Sequence, residues 1–295
     1  MRVSAAGANA RPRPSNMGGP PPSSPPPPRK LKVLCLHGFT QNAETFRMRT
    51  GSIRKQLKSR IDFVFVDAPH DASGAFGESD ASSLGAAATG ESENDVGPRA
   101  WWLVGENAVE DALAAASSEA RDEDEVADAD ENEAKPPTPP TRPAMSRQMR
   151  GWDATATRIA DAVRTLGPFD GVLGFSQGAS AAALALALVP SLRETVAFAI
   201  LFSGFAPLDP TASAALFGPR DDGGGGGGGG GDTLRGVRSL HVWGTADGMV
   251  SRERFEELRS AFRTPEPETF EHDGGHGVPF SKEFRAALKA FALAA

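Results

Sequence analysis

Six short apolar runs alternate along the chain with longer stretches in which apolar residues recur at helical spacing. The runs are Lys32–Leu36, Phe63–Val66, Gly171–Gly174, Ala197–Phe202, Leu240–Trp243 and Thr269–Glu271. Several are apolar at nearly every position, as strands covered on both faces are. Helices are predicted over Ala43–Leu57, Ser146–Leu166, Gln177–Leu188, Arg252–Phe262 and Ser281–Leu293. In the last of these Phe284, Leu288 and Phe291 share one face, while Lys282, Arg285 and Lys289 face water. Strand and helix in alternation predict an α/β fold: a mostly parallel sheet of about six strands, sandwiched between two layers of helices.

Three stretches cannot contribute to such a core. Residues 1–30 are rich in Pro, Ser, Ala, Gly and Arg, residues 106–143 pass from an Ala/acidic tract into a Pro-rich one, and residues 223–231 are all glycine. Each has too little apolar area to offset the entropy of ordering, so disorder is expected in all three. What remains of the 295 residues is one domain over 31–293 with two inserted loops.

The formal charge of −7 is local. Between Glu119 and Glu133 lie nine acidic residues and one basic, which leaves about +1 for the rest of the chain. No basic patch interleaved with aromatics points to nucleic acid, and no run of 18 apolar residues could span a membrane. The glycine run lacks a following Lys-Ser/Thr and any phosphate-cradling spacing. Cys35 is the lone cysteine, which excludes an internal disulfide; in the apolar run 33–36 it is expected to be a small buried strand residue. Residues 1–30 carry five basic residues and no acid. That composition fits a transit peptide to a plastid or mitochondrion, although its Pro blocks oppose a clean amphipathic helix.

The chemistry begins at Gly174-Phe175-Ser176-Gln177-Gly178, entered from an apolar strand and left through an Ala/Leu-rich helix. That context is the one in which a Gly-x-Ser-x-Gly turn lifts a serine hydroxyl above the sheet as a nucleophile. A serine needs a base, and a base needs an acid to hold its tautomer. On this scaffold they follow in the order Ser, acid, His. His276, in Gly274-Gly275-His276-Gly277 after the last strand, fits the base; His272, beside Glu271, is the competitor. Asp247, just past the fifth strand, fits the acid, with Asp209 and Asp273 as alternatives. The backbone N–H groups of Gln177 and Phe39 are the candidate oxyanion donors, each worth roughly 3–4 kcal/mol in the transition state. His37 precedes the serine and is expected to shape its loop by a structural hydrogen bond. Trp101, Trp102, Phe205, Met249 and Val278, together with Phe39, could form an apolar acyl wall, although two adjacent tryptophans in an extended chain face opposite ways. The histidines and neighbouring acids show no zinc-ligand spacing, so neither metal nor other cofactor is expected.

Four segments now carry a likeness: 33–42 (VLCLHGFTQN), 67–70 (DAPH), 167–179 (GPFDGVLGFSQGA) and 274–276 (GGH), with 99–102 (RAWW) beside them. On these the chain resembles the FSH family of serine hydrolases, α/β-hydrolase proteins related to acyl-protein thioesterases and carboxylesterases. The resemblance spans roughly residues 31–293. It implies metal-free cleavage of a small-molecule ester, with Ser176, Asp247 and His276 in the triad positions, and a cytoplasmic or nuclear location. The alternative in another class is a hydrolase-fold protein that binds a ligand or partner without turnover, for which the polar arms would be natural docking segments. Peptide-bond hydrolysis shares the triad, but no platform for a substrate strand is evident.

Overall fold

The computed structural model describes residues 29–73, 96–104, 146–218, 234–263 and 265–294. The expected segments 106–143 and 223–231, and all of the leader up to residue 28, lie outside the described residues. The main sheet has six strands: β1 (Leu31–Leu36), β2 (Ile61–Val66), β7 (Gly171–Phe175), β8 (Phe198–Phe202), β9 (Arg238–Gly244) and β10 (Glu268–His272). Four short strands, β3 (His70–Asp71), β4 (Arg99–Ala100), β5 (Leu103–Val104) and β6 (Met149–Arg150), pair as two small antiparallel ladders, β3 with β4 and β5 with β6. The large sheet runs β10-β9-β8-β7-β1-β2, and every pairing in it is parallel. All six apolar runs are strands of this sheet, with β7 and β8 buried at every position.

Helices cover both faces. On one lie α1 (Ala43–Arg49), α2 (Gly51–Leu57) and α8 (Lys282–Leu293), which bury Phe46, Ile53, Leu57, Phe284, Leu288 and Phe291 against the sheet. The face read from the spacing of α8 is therefore the buried one. The other layer holds α3 (Trp152–Leu166), α4 (Gln177–Leu188), α5 (Pro190–Arg193), α6 (Pro210–Phe217) and α7 (Arg252–Ser260). In α4 the first ten residues are all buried, as a helix apolar on every side requires. The architecture is an α/β-hydrolase sandwich. Cys35 is buried in β1, where burial pushes its thiol well above its usual range.

Local chemistry moved two helix boundaries. The expected helix over 43–57 breaks at Thr50, which leaves helical geometry at ψ 12° and whose hydroxyl donates at 2.8 Å to the Phe46 carbonyl that also accepts its N–H, a sharing that bends a helix. The expected helix over 146–166 starts only at Trp152, because Gly151 turns left-handed at φ 84° and residues 149–150 join β6 instead. Helix α6 was not expected, although Asp209 caps it by accepting from Thr211 and Ala212 and Pro210 opens its first turn.

The lead-in to β7 is a stitch between strand starts. Asp170 accepts the Lys32 N–H at 2.7 Å and both guanidinium nitrogens of Arg29, while its own N–H donates to the Lys32 carbonyl. The Arg29 guanidinium holds the Asp170 carboxyl below its ordinary range.

Two buried histidines contribute to the acid response. Burial lowers His37 to about 4 and His241 to about 3, so both are neutral in the folded chain. The unfolded chain protonates them near 6.5 and so binds more protons. The stability they contribute is full above that value and drains as pH falls toward about 4. Urea denaturation between pH 7 and 4 should show this loss, on the order of 3 kcal/mol from His37 alone. The double substitution Ser239→Ala/His241→Phe, which removes the second site with its hydroxyl partner, should make the slope shallower by about one proton.

Candidate active site

The chain runs from β1 outward to β2 and later crosses back to β7, so the sheet's switch point lies between the carboxyl ends of β1 and β7. Open α/β sheets bind their ligands in that crevice. Ser176 stands there, at the junction of β7 and α4, with φ 52° and ψ −121°. A non-glycine residue at such angles is strained and is held only by its surroundings. Its N–H donates to the Phe202 carbonyl at 2.8 Å, and the Ser176 carbonyl accepts from Ala179. Glycines permit the tight approach. A Cβ on Gly174 would stand 2.6 Å from Ala179 Cα, and one on Gly178 would stand 2.6 Å from the Leu36 carbonyl carbon.

The loop after β1 faces this turn and is heavily bonded. His37 Nε2 accepts the Ala68 N–H at 3.1 Å, which places the ring proton on Nδ1, where it donates to the Gly38 carbonyl at 2.8 Å. His37 is thus a loop-shaping residue, and its burial keeps it neutral. Gln41 accepts the Gly38 N–H, and Thr40, at φ 62°, donates its N–H to the Arg99 carbonyl. Phe39 sits at the top of this loop, partly exposed, and Gln177 is the first residue of α4, where helical N–H groups have no partner within the helix.

Asp247 and His276 meet from separate strand ends. His276 Nδ1 lies 2.8 Å from Asp247 Oδ2. An ionised carboxylate only accepts, so Nδ1 carries the proton and Nε2 offers a lone pair. Asp247 Oδ1 accepts from the N–H groups of Met249 and Val250 at 2.8 and 3.0 Å. Burial alone would raise the Asp247 carboxyl; the His276 hydrogen bond and charge, with the two backbone donors, outweigh it and hold it below its ordinary range. The His276 ring packs 5.0 Å from that of Phe175, the residue just before Ser176. Asp209 is occupied elsewhere, as the cap of α6 and as acceptor of the Met149 N–H. Asp273 is exposed on the turn before His276, and His272 bonds within that turn.

A serine on a strained strand-to-helix turn at the switch point, with a His–Asp pair closing over the neighbouring ring, is the layout of a serine hydrolase. The sequence model of the family described as Serine hydrolase (FSH1) matches residues 27–288. The chain belongs to this family. Esterase OVCA2 of Homo sapiens is 31% identical over 270 residues, 89% of this chain and 96% of its own. Esterase OVCA2 of Xenopus tropicalis is 32% identical over 256 residues, covering 85% and 87%. Among solved structures, the Bacillus cereus carboxylesterase aligns over 90% of this hydrolase and 88% of its own chain, at 13% identity and a TM-score of 0.47.

The expected acyl wall divides. Trp101, Trp102 and Phe205 are at most 1% exposed and sit in the core of the α3–α7 layer, while Met249 and Val278 are partly exposed beside the acid and the base. Trp101 donates its Nε1–H to the His37 carbonyl at 2.8 Å, and Trp102 packs edge-on to Trp152 and Phe205. The tryptophans act as struts under the site. Their tie is the Gln177 side chain, whose role the motif alone did not suggest: Oε1 accepts the Trp101 N–H and Nε2 donates to the Trp102 carbonyl, both at 2.9 Å. Gln177→Ala should leave both backbone groups buried and unpaired and lower unfolding stability by about 2–4 kcal/mol in urea titration.

Proposed function

We propose that this serine hydrolase cleaves carboxylic esters, or thioesters, of apolar acyl or alkyl groups through an acyl-enzyme intermediate on Ser176. The observation that carries the reading is the His276–Asp247 hydrogen bond, formed with Nε2 left as the basic nitrogen. In the proposed reaction Ser176 Oγ attacks the ester carbonyl while His276 Nε2 takes its proton. Asp247 stabilises the imidazolium, and the proton then passes to the leaving alcohol or thiol. Water repeats the sequence and releases the acid. No hydrogen bond joins Ser176 Oγ to His276 among the described residues; such bonds often tighten only in the substrate complex. The N–H groups of Phe39 and Gln177 are the proposed donors to the oxyanion. Nucleophile, base and charge stabilisation all come from side chains and backbone, so the reaction is written without a metal ion. Phe39, Met249 and Val278 are the proposed contacts for the apolar group, and the cytoplasm is the proposed location.

A fluorophosphonate probe should label the wild-type protein and fail to label Ser176→Ala. With p-nitrophenyl esters and acyl thioesters as substrates, Ser176→Ala should lose about 10³-fold or more in kcat, and Asp247→Asn about 10²–10⁴-fold. Full labelling or undiminished hydrolysis in Ser176→Ala would sink the proposal. Binding of an ester without any acyl-enzyme burst would favour a non-catalytic binding protein instead.

A further inference from the structure

We infer that His272 is a positioning residue for this reaction: its ring fastens the turn that carries His276, a turn that backbone hydrogen bonds join to the strand end that carries Asp247. The inference rests on the hydrolytic reading above.

His272 is the last residue of β10 and pairs with Gly244, the last residue of β9. From this point one chain leads to Asp247 and the other to His276. Three hydrogen bonds cross between them. The Thr245 N–H and hydroxyl donate to the His272 carbonyl at 2.8 and 3.2 Å, and the Ala246 N–H donates to the Gly274 carbonyl at 3.1 Å. A fourth bond lies within the turn, where His272 Nδ1 accepts the Gly274 N–H at 3.1 Å. The ring is fitted closely between two glycines. A Cβ on Gly244 would stand 2.9 Å from its Cε1, and one on Gly274 would stand 2.9 Å from its Nδ1.

An imidazole that accepts at Nδ1 carries its proton on Nε2. That Nε2 is buried and has no hydrogen-bond partner among the described residues. A ring with one engaged nitrogen and one shut away cannot pass a proton between two partners, so His272 does not compete with His276 as the base. It serves as an acceptor. Asparagine places Oδ1 where histidine places Nδ1, two bonds from Cβ, and commonly accepts from the N–H two residues on. Glycine at 274 and an acceptor at 272 therefore belong to one device, which sets the direction in which the chain reaches His276.

Protonation would undo it, because Nδ1–H would then face the Gly274 N–H. Burial lowers His272 below its ordinary value of 6.5, opposed by the charges of Asp273 on its own turn and Asp247 from the facing loop. Glu271, its neighbour on β10, is engaged by Arg252 at 3.0 Å. The turn therefore stays fastened at neutral pH and is released on acidification.

The experiment compares His272→Ala, His272→Asn and wild type in three readouts. In p-nitrophenyl ester hydrolysis, His272→Ala should lose about 10- to 100-fold in kcat with KM little changed, as expected when a reacting group is misplaced by about 1 Å. His272→Asn should restore most of that loss. The acid limb of log kcat/KM should steepen from a slope of one toward two in wild type, and stay at one in His272→Asn. The third readout does not need turnover: the downfield proton resonance of the His276–Asp247 hydrogen bond should persist in wild type and His272→Asn and weaken in His272→Ala. Wild-type kcat and an unchanged resonance in His272→Ala, or an Asn variant no better than Ala, would overturn the inference. A wild-type protein that neither hydrolyses esters nor takes the probe would refute the hydrolytic reading instead, and the resonance would still decide the role of His272.

Discussion

The close approach of α4 to the carboxyl end of β7 is the constraint from which the rest of the site takes its geometry. Two glycines let helix and strand backbones come within contact distance, and Ser176 is left between them at φ 52°. A strained residue persists only where its neighbours over-determine it. Here the Phe202 carbonyl holds the serine N–H, the apolar helix is buried on every side, and the Gln177 side chain ties the helix start to the tryptophan segment. The same tie runs on to the loop after β1 through Trp101 and the His37 carbonyl. The two proposed oxyanion donors thus stand on elements joined by hydrogen bonds beneath them.

The electrostatics divide the histidines by task. His37 and His241 are buried deeply enough to stay neutral, and each uses a ring nitrogen for structure. His276 has one nitrogen committed to Asp247 and the other available. Asp247 shares its oxygens between the imidazole and two backbone donors, so its charge is fixed in place before any substrate arrives. Preorganisation of this kind is what makes a carboxylate useful beside a base that must become cationic.

Most of the layered fold was legible because buried parallel strands are written as continuous apolar runs, and all six were found that way. Boundaries were less legible where one residue's chemistry overrode the periodicity. Thr50 interrupts a well-patterned helix with its hydroxyl, and Gly151 diverts the chain into a strand pair whose partner, β5, is far away in sequence. The pairing of His276 with Asp247 follows from strand order, since both lie at carboxyl ends of adjacent strands. The fate of the tryptophans does not. Alternation predicts opposite faces for Trp101 and Trp102, yet a chain clamped by Gln177 and Thr155 buries both. Only three-dimensional contacts supply that information.

The short β5–β6 ladder has a consequence for how the chain can vary. Leu103 pairs with Arg150 and Val104 with Met149, so residues 104 and 149 are neighbours in space although 44 residues lie between them in the sequence. Whatever joins them is closed at its base by backbone hydrogen bonds. The entropy of closing a connection grows only with the logarithm of its length, roughly 0.6 kcal/mol for each doubling. The ladder therefore fixes where the chain leaves the fold at Val104 and where it rejoins it at Met149, and this anchoring is set by the pairing itself and not by the number of residues between.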